Sequence, residues 1–335
     1  MSVSVRDVAE RASVSVGTVS NVLNRPEKVA PATVERVMRA IDELGFVRND
    51  AARQLRAGRS RTIGLVVLDA RNPFFADVAS GAEGRAAGRG LAVLLANSDE
   101  TSAREDTYLS LFEEQRAFGV LVTPVSEDLR RLRRLRERGI PVVLVDRESS
   151  DATFPSVSVD DVAGGRLAAQ HLLDLGRQRL AFVGGPAGIR QVADRLRGAQ
   201  QAVAATPGAI LEPVVTRSLT VQEGREVGRR LRERPPGERP DAVFAANDLL
   251  ALGILQSLVM VGDLRVPEDI ALIGYDDIDF ASAAVVPLSS IRQPASLLGE
   301  TAVDLLLREV AEPESSHERS IRFRPELVVR ASTLR

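Results

Sequence analysis

Three short runs at the start of the chain repeat apolar residues at i, i+3 and i+4, the spacing of one helix face. Ser4 and Asp7 give the first run the spacing of a capping box, and Ser15 stands where it can cap the second. Gly45 follows the third run as a stop signal. The apolar positions are Val5, Val8 and Ala9, then Val19, Val22 and Leu23, then Val34, Val37, Met38, Ile41 and Leu44. Because the first two runs are joined by a turn of about three residues, the pattern predicts a three-helix head of the helix-turn-helix type.

The outward positions of the second predicted helix carry small or uncharged side chains. A recognition helix in the major groove needs little bulk at its N terminus, an apolar group for a thymine methyl and an amide for adenine. Val16, Gly17 and Asn21 suit these base-reading roles. The residues suited to phosphate contacts are Thr18, Ser20, Asn24 and Arg25. A three-helix module with a purely structural role has the same pattern, so the pattern alone leaves both interpretations open.

From residue 62 onward, short runs rich in β-branched residues alternate with longer helical patterns. The predicted strands are 63–68, 91–96, 120–123, 142–146, 180–184, 242–246 and 270–275. The predicted helices lie near 75–89, 102–117, 127–138, 162–175, 190–204, 222–233 and 248–261. This alternation indicates βαβ units and parallel sheets. So many strands fit two similar halves better than one sheet, with the break near Asp160 and Asp161.

Charge is distributed unevenly over the 335 residues, whose formal net charge is −2. Residues 1–61 hold eleven basic residues against seven acidic ones, so the remainder of the chain is net acidic. A basic head suggests a polyanionic partner, although a solvated charged face gives the same balance. The length and the 44% apolar content predict two or three folded units of an ordinary globular protein.

The residue types that are missing exclude several kinds of chemistry. The chain has no cysteine and only two histidines, His171 and His317, so we expect no disulfide framework and no metal site. No Walker-type loop or G-x-G-x-x-G run follows a predicted strand, and neither histidine has the setting of a catalytic base, so we expect no cofactor and no enzyme. The charged start and the lack of an apolar stretch of about 18 residues predict no signal peptide, no membrane span and a cytoplasmic location.

Polar side chains follow the carboxyl ends of the predicted strands, where ligands bind in open α/β sheets. They supply carboxylates, amides, an arginine and aromatic surface, which suit a polyhydroxylated, sugar-like ligand. The candidates are Asp69, Asn72, Phe74, Phe75, Thr123, Asp146, Arg147, Asp160, Asn247, Asp276, Asp277 and Gln293. An acid after a strand can instead cap a helix, which we expect of Asp161 and which stays open for Asp276 and Asp277. Phe74 also fits a core position.

Three ordered stretches of the head resemble a known family. They are VRDVA at 5–9 with VS at 14–15, TVSNVLN at 18–24, and VAPAT at 29–33 with LGF at 44–46. They look like the DNA-binding head of the LacI/GalR (lactose-repressor) transcription factors, and the body extends the resemblance to nearly the whole chain. The resemblance implies a homodimer that binds a pseudo-palindromic operator as a repressor, under the control of a small effector.

The segment after the head departs from the family pattern at one point. Phe46-Val47-Arg48-Asn49 stands where the family has Tyr-x-Pro-Asn, so a hydroxyl and a rigid turn residue are missing. Residues 50–58 have the pattern of a short helix ended by glycine. The resemblance implies that this hinge helix folds on operator DNA with Leu55 wedged into the minor groove, beside Ala52 and Arg53. A solvated linker is the alternative.

For the body, the resemblance implies two periplasmic-binding-protein-like lobes. The expected domains are a helix-turn-helix at 1–48, a hinge at 49–60 and an effector-binding and dimerisation domain at 61–335, with lobe 1 at about 61–160 and 292–320 and lobe 2 at about 161–291 and 321–335. Arg195, in an R-x-x-G run, and Asp248 match effector-binding positions of the family. Leu219 stands where many relatives have a stacking aromatic, which leaves the effector open. The alternative is a cytoplasmic sugar-binding protein or sugar-converting α/β enzyme with a structural head.

Overall fold

A computed structural model describes residues 3–46, 59–149, 153–186, 188–261, 264–312 and 319–334. The chain divides into two compact units, Met1–Ser60 and Arg61–Arg335, which we call the head and the body. The predicted hinge residues Ala52, Arg53 and Leu55 lie outside the described residues.

The head contains three helices around a small apolar core. They are α1 (Val5–Arg11), α2 (Val16–Asn24) and α3 (Pro31–Leu44), with a 3₁₀ turn at Pro26–Lys28. The capping box predicted at Ser4 and Asp7 is formed, because the Ser4 side chain accepts from the Asp7 amide and the Asp7 carboxylate accepts from the Ser4 amide. Gly45, at φ 62°, ends α3 in the left-handed conformation that favours glycine. The buried core residues are Val8, Ala9, Ala12, Val19, Val22, Val37 and Ala40.

The first lobe of the body is built on a six-stranded parallel sheet. Its strands are β1 (Thr62–Val67), β2 (Ala92–Asn97), β3 (Gly119–Val122), β4 (Val142–Val145), β5 (Ser156–Val159) and β11 (Ser320–Phe323), in the spatial order β11-β5-β4-β3-β1-β2. Its helices are α4 (Pro73–Ala87), α5 (Ser102–Glu114), α6 (Arg130–Glu137) and α12 (Ala295–Ala311). The inner strands β3, β4 and β5 are buried along their whole length, as expected of a parallel sheet covered on both faces.

The second lobe repeats this architecture on a smaller scale. Its sheet has four parallel strands in the order β7-β6-β8-β9, namely β6 (Arg179–Gly184), β7 (Ile210–Val215), β8 (Ala242–Ala245) and β9 (Ala271–Ile273). Its helices are α7 (Asp161–Asp174), α8 (Arg190–Ala204), α9 (Val221–Glu233), α10 (Asp248–Leu255) and the short α11 (Asp279–Ser282). A π-helical segment, Gln256–Met260, continues α10. The three-helix head and the two-lobed α/β body therefore agree with the predicted fold class.

The chain crosses between the lobes three times. It passes first from β5 to α7 and then returns through β10 (Ser290–Arg292), which pairs antiparallel with β12 (Glu326–Val328). The last crossing, from the first lobe to the second, was expected at about residue 321, and β11 pairs with β5 through Phe323 and so belongs to the first lobe. That crossing therefore lies after Phe323, because the parallel pairing holds the whole of β11 on the edge of the first sheet.

Candidate DNA-binding face and effector cleft

Helix α2 presents to solvent the side chains that the sequence assigned to base contact. Val16 is 43% exposed, and Gly17 and Asn21 are exposed as well. The other side of the helix is buried through Val19 and Val22. One face therefore fixes α2 in the head and the opposite face is turned outward, as a recognition helix requires.

The packing of the head does not require the glycine at position 17. A Cβ built there would meet only Ser15 Oγ, at 3.6 Å, which is an ordinary van der Waals contact. A glycine inside a helix costs about 1 kcal/mol relative to alanine. The packing of the head therefore does not explain the glycine at position 17.

The residues predicted to contact phosphate differ in how strongly they are engaged within the head. Thr18 Oγ1 lies 2.9 Å from the capping Ser15 Oγ, and Asn24 Nδ2 donates to Ser20 O at 2.7 Å. Arg25 is exposed and follows α2 as its C-cap residue. Asn24 is thus hydrogen-bonded within the head, whereas Arg25 lies on its surface.

Strands of both lobes point their carboxyl ends at one cleft in the body. The lining residues are Leu68, Asp69, Asn72, Phe74, Phe75, Glu100, Asp146, Ile189, Gln191, Val192, Arg195, Leu219, Asn247 and Asp276. The cavity measures about 40 Å³, which is room for about three water molecules. Sites for small molecules usually enclose about 300 Å³ or more. The two lobes are thus held close together in this structure.

Arg195 occupies the centre of the second lobe's side of the cleft. Its Nε donates to Asp161 Oδ1 at 2.8 Å and its Nη1 donates to Ala246 O at 2.7 Å. Its guanidinium carbon lies 3.7 Å from the centroid of the Tyr275 ring, and Nη1 lies 3.8 Å from Asp276 Oδ1. The side chain is thus fixed from several directions while its residue lines the cleft.

Hydrogen bonds and an ion pair join the two lobes across the cleft. Asn72 Nδ2, at the start of α4, donates to Asp276 Oδ2 at 3.0 Å. Gln191 Nε2, in the first turn of α8, donates to Asp146 O at 2.7 Å and to Asp146 Oδ2 at 3.1 Å. At the rim, Arg190 Nη1 lies 3.3 Å from Glu127 Oε1. These contacts form a cross-lobe network around the cavity.

The buried carboxylates of this region hold protons more strongly than free ones. Burial raises the pKa of Asp146 well above its usual value, and the nearby Asp161 adds to the rise. Burial also raises the pKa of Asp161 and of Asp276, although Arg195 opposes the shift at both. Burial together with Asp69 and Asp99 raises the pKa of Glu100 to about 7. The cleft is therefore acidic in composition but only partly ionised near neutral pH.

The structure brings eight of the fourteen predicted effector residues to the cleft, whereas Asp277 does not line it. Those that line it are Asp69, Asn72, Phe74, Phe75, Asp146, Arg195, Asn247 and Asp276. Gln293 lies behind this wall, where its Nε2 donates to Asp276 Oδ1 at 2.8 Å. Thr123, Arg147, Asp160 and Asp248 do not line the cavity. Arg147 instead holds the loop after β3, because it donates to Ser126 O at 2.7 Å and pairs with Glu127.

Three acids have roles different from those that the sequence indicated. Asp160 Oδ1 accepts from the Ala163 amide and caps α7, whereas Asp161, expected to be the cap, binds Arg195. Asp248 is fully buried, and its carboxylate accepts from the Ile278 amide at 2.9 Å and from Ser290 Oγ at 2.7 Å. The capping position is Asp160 because α7 begins at Asp161, one residue earlier than a cap at Asp161 requires.

Sequence reasoning overlooked several lining residues. Glu100 follows the end of β2, and Gln191 lies in the helix that follows β6. Ile189 and Val192 flank Gln191 in the same turn. The rule that ligands gather beyond the carboxyl ends of strands applies to each of them, so a longer search after β2 and β6 would have included them.

Leu219 lines the cleft on the side of the second lobe. The facing wall has Phe74 and Phe75, whose rings pack edge to face with centroids 5.1 Å apart. The first lobe thus supplies the aromatic surface of the cleft. On the second lobe, the aliphatic side chain of Leu219 occupies the position where many relatives have an aromatic one.

Neither a membrane-spanning helix nor a metal-binding cluster is present in the part of the chain that the structure describes. No helix there is long and apolar enough to cross a membrane. No group of three or more His, Asp or Glu side chains in those ranges is arranged to hold a metal ion.

Comparison with known proteins agrees with both units. The model of "Bacterial regulatory proteins, lacI family" matches residues 4–49, and that of a "Periplasmic binding protein-like domain" matches residues 169–333. The chain is 31% identical over 332 residues to the HTH-type transcriptional repressor PurR of Photobacterium profundum, covering 98% of both chains. It is 33% identical over 331 residues to the ribose operon repressor of Escherichia coli, covering 98% of this chain and 99% of that one.

A solved structure with a similar fold covers the full length of both chains. It is the Lac repressor dimer bound to operator and the anti-inducer ONPF, with a TM-score of 0.84 and 27% sequence identity. The relatives are transcriptional repressors, so the alternative of a sugar-converting enzyme with a structural head is wrong. The chain therefore belongs to the lacI family of bacterial regulatory proteins and is a ligand-controlled, DNA-binding transcriptional repressor.

Proposed function

We propose that the protein binds a pseudo-palindromic operator as a homodimer and that a sugar or sugar derivative in the cleft controls this binding. In each head, Val16, Gly17 and Asn21 on the outward face of α2 read base edges. The contacts that fix the position of α2 on the phosphates come from Thr18, Ser20, Asn24 and Arg25. A repressor of this kind acts on the chromosome, which places it in the cytoplasm.

The segment between head and body supplies a second contact with DNA in this proposal. Leu55 enters the minor groove at the centre of the operator, and Ala52 and Arg53 accompany it. An apolar side chain inserted between base steps unstacks them and bends the duplex. The proposal for these three residues rests on the sequence resemblance.

The effector is held by the residues that line the cleft on both lobes. Asn72, Asp146 and Arg195 offer polar groups, and Phe74 and Phe75 offer an apolar wall for the ring face of a sugar. The other predicted residues support this wall from behind or from the loops beside it, namely Thr123, Arg147, Asp160, Asp248 and Gln293. Some of the side chains that would contact the ligand also form the bonds between the lobes. A ligand that binds these side chains can therefore change the separation of the lobes.

Exposed apolar side chains on both lobes support the homodimer. The edge strand β2 exposes Leu94 and Leu95 by 46% and 47%. In the second lobe, Met260, Val261 and Phe280 are exposed by 68%, 74% and 60%. Large apolar side chains of this kind mark association surfaces when they are grouped. Sedimentation of the full chain at micromolar concentration should give a dimer, and a monomer would contradict the proposal.

The observation that carries the proposed function is the cleft that both lobes close by hydrogen bonds between Asn72 and Asp276 and between Gln191 and Asp146. A site made of two lobes converts ligand binding into a change in their separation. The test is footprinting of the full protein on the DNA upstream of its own gene, with and without a panel of sugars and sugar phosphates.

Protection of one palindromic stretch that a single compound abolishes or strengthens would support every part of the proposal. The direction of the change would then identify induction or corepression. Lack of protection under all conditions, together with ligand binding to the body, would contradict operator binding by the head.

A further inference from the structure

The side chains that line the cleft are strongly unequal in charge. Four carry a carboxyl group, at Asp69, Glu100, Asp146 and Asp276, and one carries a guanidinium, at Arg195. A ligand in the cleft is therefore surrounded by four acidic side chains and one basic side chain. Since charges interact more strongly in a cavity of low dielectric than in water, this imbalance matters more here than on the surface.

The basic group is already matched by acids of the protein. Arg195 donates to Asp161 Oδ1 and to Ala246 O, and Asp276 lies within 3.8 Å of it. Burial would lower the pKa of Arg195, but its attraction to Asp161, Tyr275, Asp276 and Asp146 raises the pKa above the usual value. An anionic ligand group would have to compete with these carboxylates for the same guanidinium.

The arginines next to the cleft are engaged elsewhere. Arg71 Nε lies 2.8 Å from Asp69 Oδ1 and its Nη2 lies 2.9 Å from Asp99 Oδ1, with the side chain 67% exposed. Arg147 pairs with Glu127 and donates to the carbonyl of Ser126. Neither of the two lines the cavity. Within the described residues, Arg195 is the single cationic group that the lining presents.

One helix N terminus partly offsets the acidic lining. Helix α8 begins beside the cleft without a side-chain cap, and Gln191 and Val192 of its first turn line the cavity. The positive end of a helix is equivalent to about half an elementary charge. Three carboxyl groups in excess of the guanidinium outweigh this contribution when they are ionised.

Unused acceptors in the cleft point to hydrogen-bond donors on the ligand. Asp146 is 4% exposed, and its Oδ1 has no hydrogen-bond partner, whereas its Oδ2 accepts from Gln191. A buried oxygen without a partner costs about 1–3 kcal/mol. A ligand hydroxyl brought within reach by movement of the lobes would satisfy it, and the cleft would gain what its own side chains do not supply.

We propose that the ligand of this cleft carries no phosphate or carboxylate group and is held by hydroxyl groups that donate to the carboxylates of Asp69, Glu100 and Asp146. An unphosphorylated sugar is the ligand class that fits. This inference rests on the proposed function in that the cleft is the effector site. It goes further by excluding sugar phosphates and sugar acids.

The protonation of Glu100 gives the inference a second signature. Its pKa is about 7 because of burial and the neighbouring Asp69 and Asp99. An anion placed in the cleft would raise this pKa further and take up a proton from solution. Binding of a phosphorylated compound should therefore strengthen as the pH falls from 8 to 6, after allowance for titration of the phosphate itself. Binding of the uncharged partner should change much less.

The test compares matched pairs of compounds on the full protein by isothermal titration calorimetry. The pairs are D-ribose with ribose 5-phosphate, D-glucose with glucose 6-phosphate, and D-gluconolactone with gluconate. We expect at least one uncharged member to bind, and its charged partner to bind at least tenfold more weakly. A charged partner that binds as tightly or more tightly overturns the inference, and so does a panel in which no uncharged member binds.

A pair of variants shows whether the cleft charge causes the discrimination. Glu100→Gln removes one ionisable group from the lining and should reduce the preference for the uncharged member by several-fold. Glu83→Gln, on the exposed side of α4, should leave it unchanged. Equal preferences in the wild type and in Glu100→Gln would overturn the electrostatic explanation.

Footprinting separates the failure of this inference from failure of the proposed function. Operator protection that a phosphorylated compound controls would overturn the uncharged-ligand inference while leaving the repressor mechanism intact. Tight binding of an uncharged sugar without any operator protection would contradict the proposed function while leaving the uncharged-ligand inference intact.

Discussion

Replacement of Arg195 by methionine tests whether this guanidinium holds the body together as well as lining the cleft. The variant keeps much of the side-chain volume but leaves the buried Asp161 without its 2.8 Å partner, and Asp276 without its nearby cation. Removing one member of a buried ion pair destabilises a protein by about 3–5 kcal/mol. Loss of the cation–π contact between the Arg195 guanidinium and the Tyr275 ring destabilises the protein further.

The loss should depend on pH with a definite sign. Without the guanidinium, burial at Asp161 is opposed only by the hydrogen bond with Tyr275, so the folded-state pKa of Asp161 rises further above the unfolded value of about 3.9. The folded state then holds more protons than the unfolded state. Stability therefore decreases as the pH rises from about 4 through the raised pKa, and the deficit of Arg195→Met should be smaller at pH 5 than at pH 8.

Urea unfolding followed by tyrosine fluorescence measures this deficit in the body alone. The chain has two tyrosines, Tyr108 and Tyr275, both outside the head, and no tryptophan. With a urea dependence of about 3 kcal/mol per molar, the midpoint at pH 8 should fall by about 1–1.7 M. Arg197→Met is the matched control, because Arg197 lies on the same helix and its side chain is 55% exposed.

Three results would refute the reasoning for Arg195. They are a deficit below about 1 kcal/mol, a deficit equal at pH 5 and pH 8, and a deficit as large in Arg197→Met. If Arg195→Met does not fold at pH 8, the double variant with Asp161→Asn should restore folding, because it removes the unpaired carboxylate that causes the loss.

On the DNA side, Asn21→Ala should lower discrimination at one operator position by about 1–3 kcal/mol, whereas Arg25→Ala should weaken binding to all sequences and lower the salt slope by about one. Equal losses on operator and random DNA for both variants would remove Asn21 from base reading. Leu55→Ala should weaken operator binding tenfold or more without affecting random DNA, since unstacking a step costs a few kcal/mol that only the bent complex regains; unchanged operator affinity in the same titrations would favour a solvated linker. Glu127→Gln removes the ion pair between the lobes, so the cleft widens at a lower cost and effector binding should strengthen by up to about fivefold in calorimetry, with Glu114→Gln as the control; an effect that persists in 1 M salt would contradict an ion-pair mechanism.

Periodicity predicted the elements that are apolar on one or both faces, and it failed where polar residues are buried. The strands β1, β2, β3, β4, β6, β8 and β9 lie at predicted positions. Strand β5 was not predicted, because serine and valine alternate along it, which is the pattern of a strand with one exposed face. In the structure it is buried on both faces between β4 and β11. Burial of Ser156 there follows from the neighbouring strands, which local pattern does not contain.

Two further elements were overlooked for different reasons. Strand β7 contains Glu212 and Pro213, and proline is tolerated there because β7 lies at the edge of its sheet. Helix α12 has apolar residues at helical spacing, but it lies in the part of the chain that was considered only as a return to the first lobe. Its long contact with α4 closes the first lobe, so its absence from the prediction left that lobe incomplete.

The candidate site shows where a sequence rule loses resolution. The rule that ligands gather at the carboxyl ends of strands placed Asn72, Asp146 and Asp276 in the correct region. It could not separate Asp160 from Asp161, because adjacent residues share the rule and only the position of Arg195 on α8 decides which acid turns inward. Deeply buried Asp248 was assigned to the ligand from the family resemblance, although backbone and hydroxyl donors of the protein occupy its carboxylate.

The bonds that join the lobes set a scale for effector control. Asn72 donates one hydrogen bond to Asp276 and Gln191 donates two to Asp146, each contributing about 0.5–1.5 kcal/mol. With the exposed ion pair at the rim, roughly 2–5 kcal/mol holds the lobes in this arrangement. A ligand larger than the cavity of about 40 Å³ enters only if the cleft widens, so it must replace some of these bonds with its own. Two sites in allosteric proteins are coupled by about 1–3 kcal/mol, so the loss of part of these bonds is large enough to supply such a coupling. Because this coupling is reciprocal, saturating operator DNA must change the affinity of the cleft for its effector by the same factor, and a compound whose affinity is equal with and without operator is therefore not the effector.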